Sequence, residues 1–257
     1  MRIFKYTSSI FMLFIILVSC TKVIQVDLNS VDPKYVINAA IVEGQTDHFI
    51  TITRSLNFDQ ATAFPTVDNA VVTVTDDLGH SATFQAIGNG RYQVSNYLGA
   101  VGRNYTITVQ VDGEIFTASC SMPTAVPIDS LFQQNYLFGS DTMYGVIPAH
   151  FDPANESNYY QFRVDINNKP FEQTLLSTDQ YTNGNLDVQP LFLPVKPGDV
   201  VRVEMLSITK PIWSYLNQLA LNNSQQTTPA NPISNFSGGC LGYFSAQGRD
   251  IKAFTIQ

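Results

Sequence analysis

Basic residues are scarce in this chain: 14 lysines and arginines stand against 21 acids over 257 residues, a formal charge of −7. No basic stripe with interleaved aromatics occurs, and an acidic, lysine-poor body is repelled by nucleic-acid phosphates, which excludes nucleic-acid binding as a reading. The acids are spread through turns rather than gathered in a block, the pattern of ordinary solvation. Cysteine is nearly absent as well, with three in all, too few for a disulfide scaffold or a four-thiol zinc site. The three histidines, His48, His80 and His150, lie in separate segments, and none is four residues from another as a helical metal pair requires. Each is expected as an exposed strand-end or turn residue. No G-x-S-x-G elbow exists, and Gly88-Asn89-Gly90 and Gly238-Gly239 lack both the strand-to-helix setting and the lysine of a phosphate loop. Asp152-Pro153-Ala154-Asn155-Glu156 offers oxygen ligands without the spaced acids of a calcium loop, and is read as a β-turn. No catalytic, cofactor-binding or metal-binding residue is therefore nominated, and the expectation is a non-enzyme. Sequence order alone leaves open a histidine, acid and serine brought together only by the fold.

The first twenty residues carry a definite signal. Arg2 and Lys5 precede nine unbroken apolar residues, Ile10 to Val18. That is the charged start and apolar core of a signal peptide, and it is far shorter than the roughly 20 residues that span a bilayer. Leu17-Val18-Ser19-Cys20 resembles the bacterial lipobox, in which the cysteine receives lipid, so Cys20 is the predicted lipidation site. Several acyl chains on one cysteine make a stable membrane anchor where a single chain is marginal. Residues 1–19 then drop out of the fold, 20–34 form a tether, and the loss of Arg2 and Lys5 moves the charge from −7 to −9.

The body reads as a series of short strands. Ile50-Thr51-Ile52-Thr53 and Val72-Thr73-Val74-Thr75 alternate with period two, and Glu43-Gly44, Asp76-Asp77-Leu78-Gly79 and Gly88-Asn89-Gly90 supply turns. Asp112-Gly113 marks the tip of a hairpin over Asn104–Ser121, because this dipeptide suits the tight primed turns that match strand twist. A two-residue loop sets the register: Val111 faces Glu114, Val109 faces Phe116, Ile107 faces Ala118 and Tyr105 faces Cys120, all on one sheet face. Cys120 is then a small core residue, and its pairing with the distant Cys240 stays open.

The prediction is an all-β chain in which residues 35–122 form an immunoglobulin- or fibronectin-like sandwich and 123–127, with two prolines, form a linker. Residues 128–257 form a second mainly-β domain with one short helix near 211–221. In that domain Tyr160, Phe162, Val164 and Ile166 share one face, with Gln161, Arg163 and Asp165 on a wet one, and Val201, Val203 and Met205 alternate with Arg202 and Glu204. Ile212, Tyr215, Leu216 and Leu219 give the helix its apolar stripe after Pro211. Leu241–Ala246 and Ile251–Ile256 are expected as two closing strands. Trp213 is read as core in preference to a sugar-stacking platform with Tyr215 and the tyrosines at 136, 144 and 159.

Several segments in this order resemble a family of Bacteroidota outer-membrane lipoproteins known by a domain of unknown function of the 4249 type. They are the lipobox at Cys20, Tyr35-Val36-Ile37-Asn38 running to Glu43-Gly44, Thr53-Arg54-Ser55, Asn69-Ala70-Val71-Val72 with Asp76-Asp77 and Gly79, and Gly90-Arg91-Tyr92. The hairpin Tyr105–Gly113, Met122-Pro123 with Ile128-Asp129-Ser130-Leu131, and Asn235-Phe236-Ser237-Gly238-Gly239-Cys240-Leu241-Gly242-Tyr243-Phe244 complete the set. A small residue is usual at position 240, so the cysteine there departs from the pattern and fits an unpaired buried thiol. The resemblance implies an accessory or ligand-binding outer-membrane lipoprotein associated with a TonB-dependent receptor. Many surface lipoproteins of these bacteria carry an acidic run after the lipidated cysteine; Thr21-Lys22-Val23-Ile24-Gln25 has none, which leaves the membrane face open. A lipid-anchored hydrolase and a structural or adhesive surface module are the alternatives.

Overall fold

The computed structural model describes residues 32–56, 63–139, 141–223 and 231–257. The expected signal peptide, the predicted lipidation site Cys20 and nearly all of the expected tether lie outside the described residues.

Seven strands make the N-terminal half: β1 (Tyr35–Val42), β2 (His48–Arg54), β3 (Val71–Asp76), β4 (Ser81–Gly88), β5 (Arg91–Val94), β6 (Asn104–Val111) and β7 (Glu114–Ser121). The C-terminal half adds β8 (Ser130–Phe138), β9 (Asp141–Phe151), β10 (Tyr159–Ile166), β11 (Lys169–Pro170), β12 (Leu175–Thr178), β13 (Leu186–Asp187), β14 (Leu191–Phe192), β15 (Val200–Ile208), helix α1 (Lys210–Asn223) and β16 (Leu241–Thr255). The expected all-β, sandwich-like fold with one helix is what the described residues adopt.

One sheet runs β11-β10-β15-β16-β1-β2-β5-β4-β3-β6-β7, with β12 also on β10, and a smaller sheet joins β8, β13 and β14 to β9. The long sheet folds over on itself at β4, where the register shifts between Ala86 and Gly88, so that Ile37, Ile50 and Ile52 meet Val72, Val74, Ile107 and Phe116 in one core. The β6–β7 hairpin has the expected register, and Asp112 and Gly113 both take positive φ (50° and 84°), as a primed turn demands. Tyr105, buried at the start of β6, accepts from the Ala100 amide (2.8 Å) and donates to the Ala100 carbonyl (3.1 Å), the tyrosine-corner bond of immunoglobulin-like sandwiches.

The closing segment differs from its expectation. Leu241–Thr255 is a single strand of 15 residues, not two. Its first part pairs in parallel with β1 and its second part antiparallel with β15, so the polar stretch Gln247-Gly248-Arg249-Asp250 is a handover between partners. One sheet thereby crosses from the N-terminal half into the C-terminal half. Two glycines permit this. Gly242 sits at φ +97°, where a Cβ would come within 2.0 Å of the Ile37 carbonyl oxygen, and a Cβ on Gly248 would lie 2.5 Å from the Pro123 carbonyl oxygen. Residues 123–127 stay outside any ladder, yet they are held: Val126 N donates to Ser207 Oγ (3.3 Å) and Ile128 N to Asp250 Oδ2 (2.7 Å).

A second core lies between the small sheet and β10, β15 and the end of β16, built from Ile128, Val146, Tyr160, Phe162, Val203 and Met205. Helix α1 covers the opposite face of the long sheet with Ile212, Tyr215 and Leu216, and the Thr209 carbonyl accepts its first amide bond from Trp213 (3.0 Å). Trp213 meets Tyr159, Tyr215 meets Tyr243, and Tyr136 meets Phe192. The first two contacts lie where α1 packs on the long sheet and the third on the small sheet, so the rings do not form one platform.

Candidate functional site

The C-terminal end of β9 and the strands around it build a cavity of about 340 Å³ in the C-terminal half. Phe162, Leu175 and Leu191 give it apolar walls, while His150, Ser177 and Asp187 supply polar groups. Pairing explains the convergence: Asp187 on β13 lies opposite His150 on β9, and Ser177 on β12 lies opposite Tyr160 on β10. The expectation that every histidine is exposed holds for His80 and fails for the other two. His48 and His150 are each only 2% exposed, because both start or end a strand whose neighbours close over it. Sequence reasoning missed Ser177 and Asp187 altogether; short β12 and β13 carry no alternation to signal them.

The bonds around these residues decide their chemistry. His150 Nδ1 donates to the Pro148 carbonyl (3.0 Å), which leaves Nε2 as the acceptor, and Nε2 has no protein partner. Ser177 Oγ donates to Gln189 Oε1 (3.4 Å), and the Asp187 carboxylate accepts from Gln189 N (2.8 Å) and Thr182 Oγ1 (3.4 Å). A nucleophile relay needs serine on the histidine and histidine on the acid. Neither bond is made.

Behind the cavity Asp152 is 0% exposed, and Tyr160 donates its hydroxyl to Asp152 Oδ1 (2.5 Å). Burial pushes the Asp152 carboxyl above its ordinary range, with the nearby Asp179 charge adding to the rise, and burial with the Asp152 contact raises Tyr160 as well. Asp179 accepts from Asn183 Nδ2 (3.1 Å) and its carbonyl takes the amides of Thr182 and Asn183, so the acids here tie down the loop 179–187. Residues 154 and 155 form the expected turn, with Asn155 at φ +69°. Among the described residues no group of three or more histidines, cysteines or acids is placed to hold a metal ion.

A second concavity, about 910 Å³, opens where the two halves meet, between the held segment 122–127, the β9–β10 turn and the start of α1. Glu156 and Lys210 place one charge of each sign on it. Cys120 and Cys240 are both free and buried, which closes the question of their pairing; burial drives the Cys240 thiol up to about 12.

The family of the domain of unknown function (DUF4249) matches residues 21–252, a span that takes in both halves of the long sheet. The chain belongs to this family. No curated protein matches it. Residues from four of the DUF4249-like segments meet at one end of the N-terminal sandwich. Asp112 accepts from Tyr35 (2.6 Å) and Asn69 (2.8 Å), and Arg54 lies over the Tyr35 ring at 4.0 Å and bonds its hydroxyl. Burial and the Asp112 bond lift the Tyr35 phenol to about 12. The hairpin tip is thus pinned to β1 and β2, and the separate segment Asn235–Phe244 is closed by Asn235 bonding both backbone groups of Phe244.

Proposed function

We propose that this protein is a non-catalytic, lipid-anchored lipoprotein of the outer membrane that assists a TonB-dependent receptor by capturing a ligand. The observation that carries the reading is the 340 Å³ cavity: apolar walls, a few convergent polar groups, and a size within the usual range of small-molecule sites, roughly 300–1,000 Å³. The leader ending at Cys20 supports an anchor and an extracytoplasmic setting. The expected ligand is small and largely apolar.

Crosslinking in intact membranes followed by capture of the full-length protein tests the partner, with a TonB-dependent barrel as the expected companion. Recovery of no such barrel across growth conditions removes the accessory role. Fatty-acid labelling tests the anchor: Cys20→Ala is expected to abolish label and release the protein from membranes, and an unchanged result removes the compartment.

A hydrolase is the second reading, favoured by the presence of serine, histidine and acid on one cavity. It requires His150 Nε2 to meet Ser177 Oγ after a side-chain rearrangement. Ester hydrolysis by the wild type that falls at least about a hundredfold in Ser177→Ala would establish it over ligand capture.

A further inference from the structure

On the far side of β10 from that cavity, the face read from sequence as wet is covered in part. Gln161, on that face, is 9% exposed, and Glu204 opposite Arg163 is buried too. A groove of about 460 Å³ runs over them, bounded by Gln45 from the β1–β2 turn and by residues 170–174. We infer that this groove binds a neutral saccharide through paired hydroxyl groups.

The groove carries unfilled hydrogen-bonding capacity. Arg163 Nη2 donates to Gln247 Oε1 (3.2 Å), and since a guanidinium only donates, that bond fixes the amide orientation and leaves Gln247 Nε2 as a donor. Gln247 is fully buried and off the groove lining, so this bond holds Arg163 in place beside the groove while Nε2 finds no protein acceptor. Gln161 Oε1, likewise buried, is an acceptor without a protein donor. Glu204 sits between Arg163 (3.9 Å) and Arg249 (3.6 Å), both beyond hydrogen-bond distance, so its carboxylate offers further acceptor positions. Set beside the donating Arg163 guanidinium on the same lining, these acceptors match a group that both donates and accepts, and a hydroxyl does so with one atom.

The rest of the lining selects the kind of molecule that carries several hydroxyls. Arg202 and Asp165 neutralise each other at 2.8 Å, and the remaining groove charges, Arg163 against Glu204 and Glu172, leave no strong field for an ion. The polar side chains are planar amides, carboxylates and guanidiniums, suited to adjacent hydroxyls. Phe171 adds an aromatic surface for the C–H face of a sugar ring. An extended peptide would need apolar side-chain pockets, which this mainly polar lining does not provide.

The test uses the full-length protein in detergent, titrated by calorimetry and saturation-transfer NMR with maltose, cellobiose, xylobiose and N-acetylglucosamine, and with trialanine as the peptide probe. At least one sugar is expected to bind saturably. Gln161→Leu, which removes the free acceptor at nearly constant volume, is expected to weaken that sugar tenfold or more. Gln45→Ala, at the groove rim and away from any core, is expected to weaken it about threefold with an unchanged melting temperature. Ser177→Ala, in the other cavity, is expected to leave sugar binding as it was, so the failure of the ligand-capture reading there and the failure of this one are separable. Absence of a saturable response to all four sugars, trialanine binding in their place, or sugar binding indifferent to both groove variants would each overturn the assignment.

Discussion

In the N-terminal half, Tyr92 donates to Val67 and accepts from Ala70, Tyr105 does both with Ala100, and His48 uses both ring nitrogens, on the Tyr97 carbonyl (2.8 Å) and the Val42 amide (3.4 Å). In the C-terminal half the same accounting fails. Among the described residues, the seven buried side-chain polar atoms without a protein partner belong to His150, Asp152, Asn158, Gln161, Trp213, Ser245 and Gln247. Buried polar groups in proteins are overwhelmingly paired, and exceptions concentrate where water or ligand completes the bonding. The strands of the first half are a finished frame. The open groups sit on later elements, and of these Trp213, Ser245 and Gln247 lie on α1 and on the part of β16 that joins the N-terminal sheet.

The contrast yields graded tests. Gly242→Ala, which forces a Cβ onto the Ile37 backbone at positive φ, is expected to cost about 3 kcal/mol or more and to separate β16 from β1, read by denaturant unfolding and loss of soluble protein. Tyr105→Phe removes two made bonds and leaves half-buried backbone groups without their protein partner, for an expected loss of about 1–3 kcal/mol in urea melts.

Acid should act on the two halves in opposite directions. Burial lowers the His48 pKa below its ordinary 6.5, so the unfolded chain takes the proton first and stability from this group is lost as pH falls through 6.5. Asp152 is raised above 3.8, so the folded chain takes the proton first and this group's contribution improves as pH falls toward 3.8. Melting temperatures measured from about pH 7.5 down to about 4.5 are expected to fall less steeply in His48→Gln than in wild type, and more steeply in Asp152→Asn. The smallest effect belongs to Ser245→Ala. Its hydroxyl has no protein partner, so the expected change is within about 0.5 kcal/mol, and a loss as large as that of Tyr105→Phe would erase the distinction between the halves.

Much of the frame was legible from residue order. Asp112-Gly113 placed the hairpin and its register, the alternation in Ile50–Thr53 and Val72–Thr75 placed strands, and the spacing of Ile212, Tyr215 and Leu216 placed the helix. The cavity was not legible. Its polar residues sit on strands of two to four residues or at a strand end, where period-two patterning has no room to show. Gln161 was assigned to a wet face because alternation reports which side a residue points to and not what covers that side. The polar run 247–250 was read as a break for a similar reason: polarity suggested a turn, while backbone pairing with two different strands kept it extended.

Local sequence by itself determined the elements that rest on neighbouring residues: primed turns from Asp-Gly, strands from alternation, and the helix from its three-and-four stripe. Tertiary structure alone decided which strands became partners across more than two hundred residues, which histidines were enclosed, and which amides were left with unfilled bonds. The physical reason is range. Turn and strand preferences are settled within a few residues, whereas burial and hydrogen-bond satisfaction depend on surfaces that meet only after β16 closes against β1.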